Sequence, residues 1–323
     1  MTTCRHMAAP VPVAQDFFYP CCFCVQFLTK LYNPLQEKLP VRALGSERST
    51  VDPLSQAESG KPQEPDSLGQ ELETMSQQLL YRALVSAKWL SEAIKSQQPG
   101  LALKVVDASW YLPKMKRDPK REFEERHIPG AVFFDIDQCS DRTSPYDHML
   151  PRADDFAEYV GKLGVGNDSH VVVYDGSDQG LFSAPRVWWM FRAFGHEAVS
   201  LLDGGLKNWQ REGNALSSGK SQVAPSEFHA SLDKSLVKTY EDVLDNLDSH
   251  RFQLVDARAA GRFRGVEPEP RDGIEPGHVP GSMNIPFTDF LTESGLEKTP
   301  EQIRSLFQEK KIYQLTFHTV TLG

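Results

Sequence analysis

Apolar residues in this chain gather in two ways, as short continuous runs and as longer stretches with one apolar face. Leu103–Ala108, Ala131–Ile136, His170–Tyr174 and Val199–Leu202 are runs of strand length. His170–Tyr174 (HVVVY) is apolar along nearly its whole length, as a central parallel strand covered on both faces requires. Between the runs lie helical patterns. Ser86–Lys95 sets Leu90 and Ile94 four apart behind Ser86 as a cap. Ala153–Leu163 puts Phe156, Tyr159, Val160 and Leu163 on one face. Ala184–Phe194 and Leu206–Glu212 read as further helices, and Glu122–His127 as a charged helical turn stopped by Pro129-Gly130. Strand and helix alternate throughout, which predicts an α/β module with a mostly parallel sheet.

The pattern then recurs. LKVVDASWYLPK followed by RHIPGAVFFDI is answered later by FQLVDARAAGRF followed by GHVPGSMNIPF. Asp107 corresponds to Asp256, and His127 to Pro129-Gly130 corresponds to His278 to Pro280-Gly281. Asp and His stand 20 residues apart in the first copy and 22 in the second (127 − 107 and 278 − 256). A repeat this long predicts one module built twice. In the second copy Lys238–Leu247 reads as a helix behind Thr239, Phe252–Ala257 as a strand and Met283–Pro286 as the start of another. Thr299–Lys311 is a helix with Thr299 as cap and Pro300 at its first position. The tail, 312–323, reads IYQLTFHTVTLG and departs from the repeat. Counting from His127 to Asp175, 48 residues, places the equivalent of Asp175 in the second copy at 326, so that copy is expected to be incomplete.

Composition narrows the classes. The 323 residues are 40% hydrophobic and 24% charged with a net charge of −9, which suits a globular protein and disfavours nucleic acid or anionic membrane as a partner. No apolar stretch is long enough for a membrane span. The five cysteines are an odd set, Cys4, Cys21, Cys22, Cys24 and Cys139, and predict no disulfide framework. A reducing compartment fits, either cytoplasm or mitochondrion. Residues 1–74 read as an unstructured leader: Asp16 and a thin basic start argue against a signal peptide, and the Cys21-Cys22-Phe23-Cys24 cluster lacks zinc spacing. The expected organisation is 1–74 extension, 75–217 first module, 218–237 a Ser/Gly/Pro-punctuated linker, 238–311 a partial second module and 312–323 a divergent tail.

Phe123-xxx-His127-Ile128-Pro129-Gly130-Ala131, GRFRG, EPEPRDGIEPGH and SDRTSPYDHMLP together resemble the tandem rhodanese-type sulfurtransferases, and within them the branch that uses 3-mercaptopyruvate. The resemblance runs from about Ser76 to Lys311. It implies two rhodanese-like α/β domains, the first non-catalytic. It also implies a cysteine that takes sulfur from 3-mercaptopyruvate as a persulfide and passes it to a thiol such as thioredoxin. No cofactor and no metal are implied, and a homodimer is compatible with it. The family's cysteine loop belongs after Lys311, where IYQLTFHTVTLG stands, so this chain is expected to be inactive on its own. The alternatives are a non-catalytic binding or regulatory form, or a thiosulfate sulfurtransferase.

The candidate site residues follow from that resemblance. Arg262 and Arg271 match the positions that hold the keto-acid carboxylate, a task suited to the guanidinium fork. Arg258 could line the same site or support the domain interface. Asp137 and His148 match the family's relay partners, in which an aspartate holds an imidazole in one tautomer. Asp175 stands where a nucleophile would stand in the first module, and a carboxylate there cannot carry persulfide sulfur. Cys139, after FDID, reads as a buried structural thiol.

Overall fold

The computed structural model describes residues 83–96, 102–270 and 273–312. The leader and most of the tail lie outside the described residues, as does Arg271. The first module is built from β1 (Leu84–Val85), α1 (Ala87–Ser96), β2 (Ala102–Asp107), α2 (Pro119–Glu125), β3 (Val132–Phe133), α3 (Ala153–Lys162), β4 (Ser169–Tyr174), α4 (Ala184–Ala193), β5 (Val199–Leu202) and α5 (Gly205–Arg211). Its five strands run parallel in the order β1-β5-β4-β2-β3. β4 is central and every residue of it is buried, as its unbroken apolar run demands. β1 pairs with β5 through two residues only, too short a run to show in the pattern. The chain leaves β2 toward β3 on one side and returns as β4 on the other. The carboxyl ends of β2 and β4 are therefore the point where an open α/β sheet accepts ligands.

The second module repeats the first five elements after α1's start: α6 (Tyr240–Ser249), β6 (Val255–Asp256), α7 (Ala260–Phe263), β7 (Met283–Asn284) and α8 (Pro300–Glu309). β6 and β7 are parallel, like β2 and β3. The repeat extends to single bonds. The Ser109 N–H donates to Asp107 Oδ1 at 2.9 Å, and the Arg258 N–H donates to Asp256 Oδ1 at 2.9 Å. His127 stacks on Phe123 with Nδ1 2.7 Å from its carbonyl oxygen. His278 stacks on Phe263 with Nδ1 2.8 Å from its carbonyl oxygen. The motif histidine thus locks the end of a helix to the next strand in both copies.

The helices that close each repeat superpose with an offset of 147 (309 − 162). Phe156 and Val160 on α3 become Ile303 and Phe307 on α8, and all four are buried. Gly164, at φ 73°, becomes Lys311, at φ 56°, a left-handed position that a Cβ occupies with strain. Val165 N–H to Val160 carbonyl becomes Ile312 N–H to Phe307 carbonyl. The connection before the helix is four residues shorter in the second copy, since His127 and His278 differ by 151.

The stretch expected to be a linker lies along the first module. Ser217 bridges to His127, Ser226 N–H donates to the Gly161 carbonyl, and Asp233 N–H donates to the Ala193 carbonyl. Phe228 packs edge-on to Phe156 and Phe191. It packs on Phe191 of α4, a helix buried almost all round. Ile285, Phe290, Ile303 and Phe307 of the second module belong to the same contiguous apolar cluster as Val106, Val173 and Phe191 of the first.

Candidate active site

Each half of the candidate site is positioned by a different module. Asp137 and His148 flank the loop after β3. His148 Nε2 lies 2.7 Å from Asp137 Oδ1. The imidazole is buried while the carboxylate is largely exposed. A carboxylate at this distance from Nε2 holds the ring in one orientation by accepting its N–H. His148 sits at φ 61°, a strained conformation for a side chain of its size. Two contacts hold it there. Trp110 meets the ring edge-on at 4.9 Å between centroids, and the Arg186 guanidinium donates to the His148 carbonyl. Trp110, Arg117, Asp137, Arg142, Tyr146 and His148 line a cleft of about 550 Å³. Trp110 stands three residues past the end of β2 and lines this cleft.

The other half stands beyond β6. Asp256 ends that strand, and Arg258 folds back on it, with Nε 3.0 Å from both Asp256 carboxylate oxygens. Arg258 Nη1 reaches Glu269 Oε1 at 3.1 Å, and Nη2 reaches the Gly277 carbonyl at 2.5 Å. Arg262, on α7, donates from Nε to Glu269 Oε2 at 3.0 Å and from Nη2 to the same oxygen. Glu269 is therefore a buried carboxylate clamped between the two arginines, not a solvated partner. The structure brings Asp137 to His148 and ties Arg258 to Arg262 through Glu269. Arg271 lies outside the described residues.

The first module's own ligand position is filled by its own side chain. Asp175 follows β4, and its carboxylate accepts N–H bonds from Ser177 at 3.0 Å, Phe182 at 2.8 Å, Ser183 at 2.9 Å and Ala184 at 2.8 Å. The turn and the first residue of α4 thus form an anion cradle, and the anion is internal. Cys139 is free and buried, and burial pushes its thiol well above the usual range. A thiol in that state is a packing group rather than a nucleophile. Among the described residues no group of three or more His, Cys, Asp or Glu could hold a metal ion.

The comparisons agree on a family. A sequence profile described as a rhodanese-like domain matches residues 86–212. The chain is 71% identical over 238 residues to 3-mercaptopyruvate sulfurtransferase of Homo sapiens, covering 74% of this chain and 80% of that protein. It is 57% identical over 239 residues to thiosulfate sulfurtransferase of Rattus norvegicus, covering 74% and 80%. Among solved structures it resembles SseA of Escherichia coli, described as a rhodanese fold of the 3-mercaptopyruvate sulfotransferases. The TM-score is 0.64 and the identity 39%, covering 72% of this chain and 84% of SseA.

Proposed function

Because the chain belongs to the 3-mercaptopyruvate sulfurtransferase family, we propose that its fold serves transfer of sulfur from 3-mercaptopyruvate to a thiol such as thioredoxin. The reacting site would be shared between the modules. The observation that carries this reading is the Asp137–His148 pair, strained, buried on the imidazole side and set in the wall of a cleft. An imidazole held in one tautomer can polarise a hydroxyl brought against it. Arg262 and Arg271 supply the cations that a keto-acid carboxylate would meet, and the Glu269 clamp fixes how Arg262 approaches. Arg258, with all three of its side-chain nitrogens bonded, supports that clamp. Cytoplasm or mitochondrion, where thiols stay reduced, is part of the same proposal.

Persulfide chemistry needs a thiolate, and no arrangement of donors replaces it. Cys139 is the last cysteine in the sequence, and it is buried. The tail 312–323, IYQLTFHTVTLG, holds no cysteine, and hydrocarbon and hydroxyl side chains cannot hold persulfide sulfur. We therefore propose that these 323 residues bind without turning over, as a non-catalytic form of the family. The test is a sulfurtransferase assay on the purified chain with 3-mercaptopyruvate and with thiosulfate. Release of pyruvate from mercaptopyruvate and cyanide-dependent thiocyanate formation should both stay at background. A rate abolished by Cys139→Ser would overturn the proposal.

A further inference from the structure

The turn Thr292–Glu297 of the second module is pressed against the first. Leu296 packs over Gly204, and a Cβ at Gly180 would overlap the Gly295 carbonyl oxygen. Arg211 Nη1 donates to the Ser294 carbonyl at 3.3 Å. At the end of the turn the Glu297 N–H donates to Asp203 Oδ1 at 2.9 Å. Two carboxyl groups from different modules therefore meet at one partly closed junction. Glu297 Oε1 is buried there and meets no hydrogen-bond partner. We propose that this turn is a pH-sensitive latch between the modules, shut while the Glu297 carboxyl is neutral beside Asp203 and loosened when both carry charge.

The groups around the pair favour charge on Asp203 only in part and leave Glu297 without a cation. Arg211, the cation nearest Asp203, spends its guanidinium on the Ser294 carbonyl and on Asn208 Oδ1. Lys298, next to Glu297, turns to the Asp289 carbonyl. Glu212 adds a third carboxylate on the Asp203 side. Burial first, and Asp203 second, push the Glu297 carboxyl up to about 8 from its ordinary 4.5. Burial raises Asp203 too, against the two backbone N–H groups and Arg211 that favour its charge.

The direction of the pH effect follows. With the turn shut, Glu297 keeps its proton up to about pH 8; with the turn open and wetted, it ionises near 4.5. Between those values opening releases a proton, so rising pH favours it by up to about tenfold per unit. Above about 8 both states are ionised and the dependence ends. The latch goes beyond sulfur transfer. It would decide whether Asp137 and His148 keep their place relative to the arginines.

Hydrogen–deuterium exchange of the backbone amides of 291–297 in the full chain tests it, corrected for the intrinsic pH dependence of exchange. Protection of the turn should fall roughly tenfold per unit from about pH 6 to about pH 8, while protection of β4 stays constant. Glu297→Gln should hold high protection across the range. Asp203→Asn, which keeps an acceptor for the Glu297 N–H, should shrink the fall, and it decides the matter should Glu297→Gln fail to fold. Protection that is flat in the wild type overturns the latch, as does a fall of equal size in a variant that folds.

Discussion

Asp175 shows how a single residue settles the character of a loop. Its carboxylate accepts from four backbone N–H groups of the loop after β4 and the start of α4. The charge is internal and the cradle is closed to an outside anion. Asp175→Ala would leave those donors buried without an acceptor, at a cost of about 3 kcal/mol. Urea unfolding followed by tryptophan fluorescence should show a lower midpoint with an unchanged slope. An effect below about 0.5 kcal/mol would mean that water replaces the carboxylate without loss. Glu269 in the second module is a related case, since it is a buried carboxylate held by Arg258 and Arg262.

At the scale of elements, two features separate what is common to the repeats from what is particular. α3 and α8 end alike, but the left-handed stop is Gly164 in one and Lys311 in the other. Lys311→Gly relieves the Cβ clash and should raise stability by about 0.5–1 kcal/mol, less whatever the unfolded glycine gains in freedom. A shift in the unfolding midpoint of the full chain measures it. β4 carries a buried imidazole with no counterpart in its apolar neighbours. His170 Nε2 lies 2.9 Å from Ser200 Oγ on β5, and burial pushes the ring down to about 4 from 6.5. The folded ring stays neutral where the unfolded one takes a proton. The resulting stability is present above 6.5 and is lost as pH falls from 6.5 toward 4, up to about 2–3 kcal/mol. Denaturation at a series of pH values should show this acid loss, and His170→Gln, which can keep a bond to Ser200, should flatten that part of the profile.

On the scale of the whole molecule the second module is less sheet than supporting layer. β2 has β3 on one side and β4 on the other and is buried through its last three residues; β6 has β7 and is only half-buried. Its helix α8 and the turn before it contribute Ile303, Phe307 and Phe290 to a cluster that continues into the first module. The segment 218–237 is bonded to that module at Gly219, Ser226, Ser231 and Asp233 and anchored by the buried Phe228. Limited proteolysis should accordingly leave a resistant fragment that begins near Ala83 and runs past Ser217 to about Val237. Mass spectrometry of the fragments decides it. Early cutting between Ser217 and Phe228 would show that the segment is a free tether.

Periodicity made the first module legible because a strand buried on both faces must be apolar throughout, as His170–Tyr174 nearly is, and an amphipathic helix must repeat near 3.6, as Ala153–Lys162 does. The repeat of Asp107 and His127 in Asp256 and His278 was likewise a local property, and it foretold shared bonds down to the stacked Phe–His pairs. The family and its expected chemistry could be read from the same blocks. What only the tertiary structure decided depends on residues far apart in the chain. Phe228 stands in a polar, Pro-containing stretch, and nothing local marks it as a packing partner of α4. Glu269 and Asp203 are ordinary surface letters until burial and a partner from another element change their cost. The two copies are 151 residues apart at their histidines and 147 apart at the helix ends that follow, α3 and α8. Loops between repeats change length freely, while the packed helix that follows them holds its register.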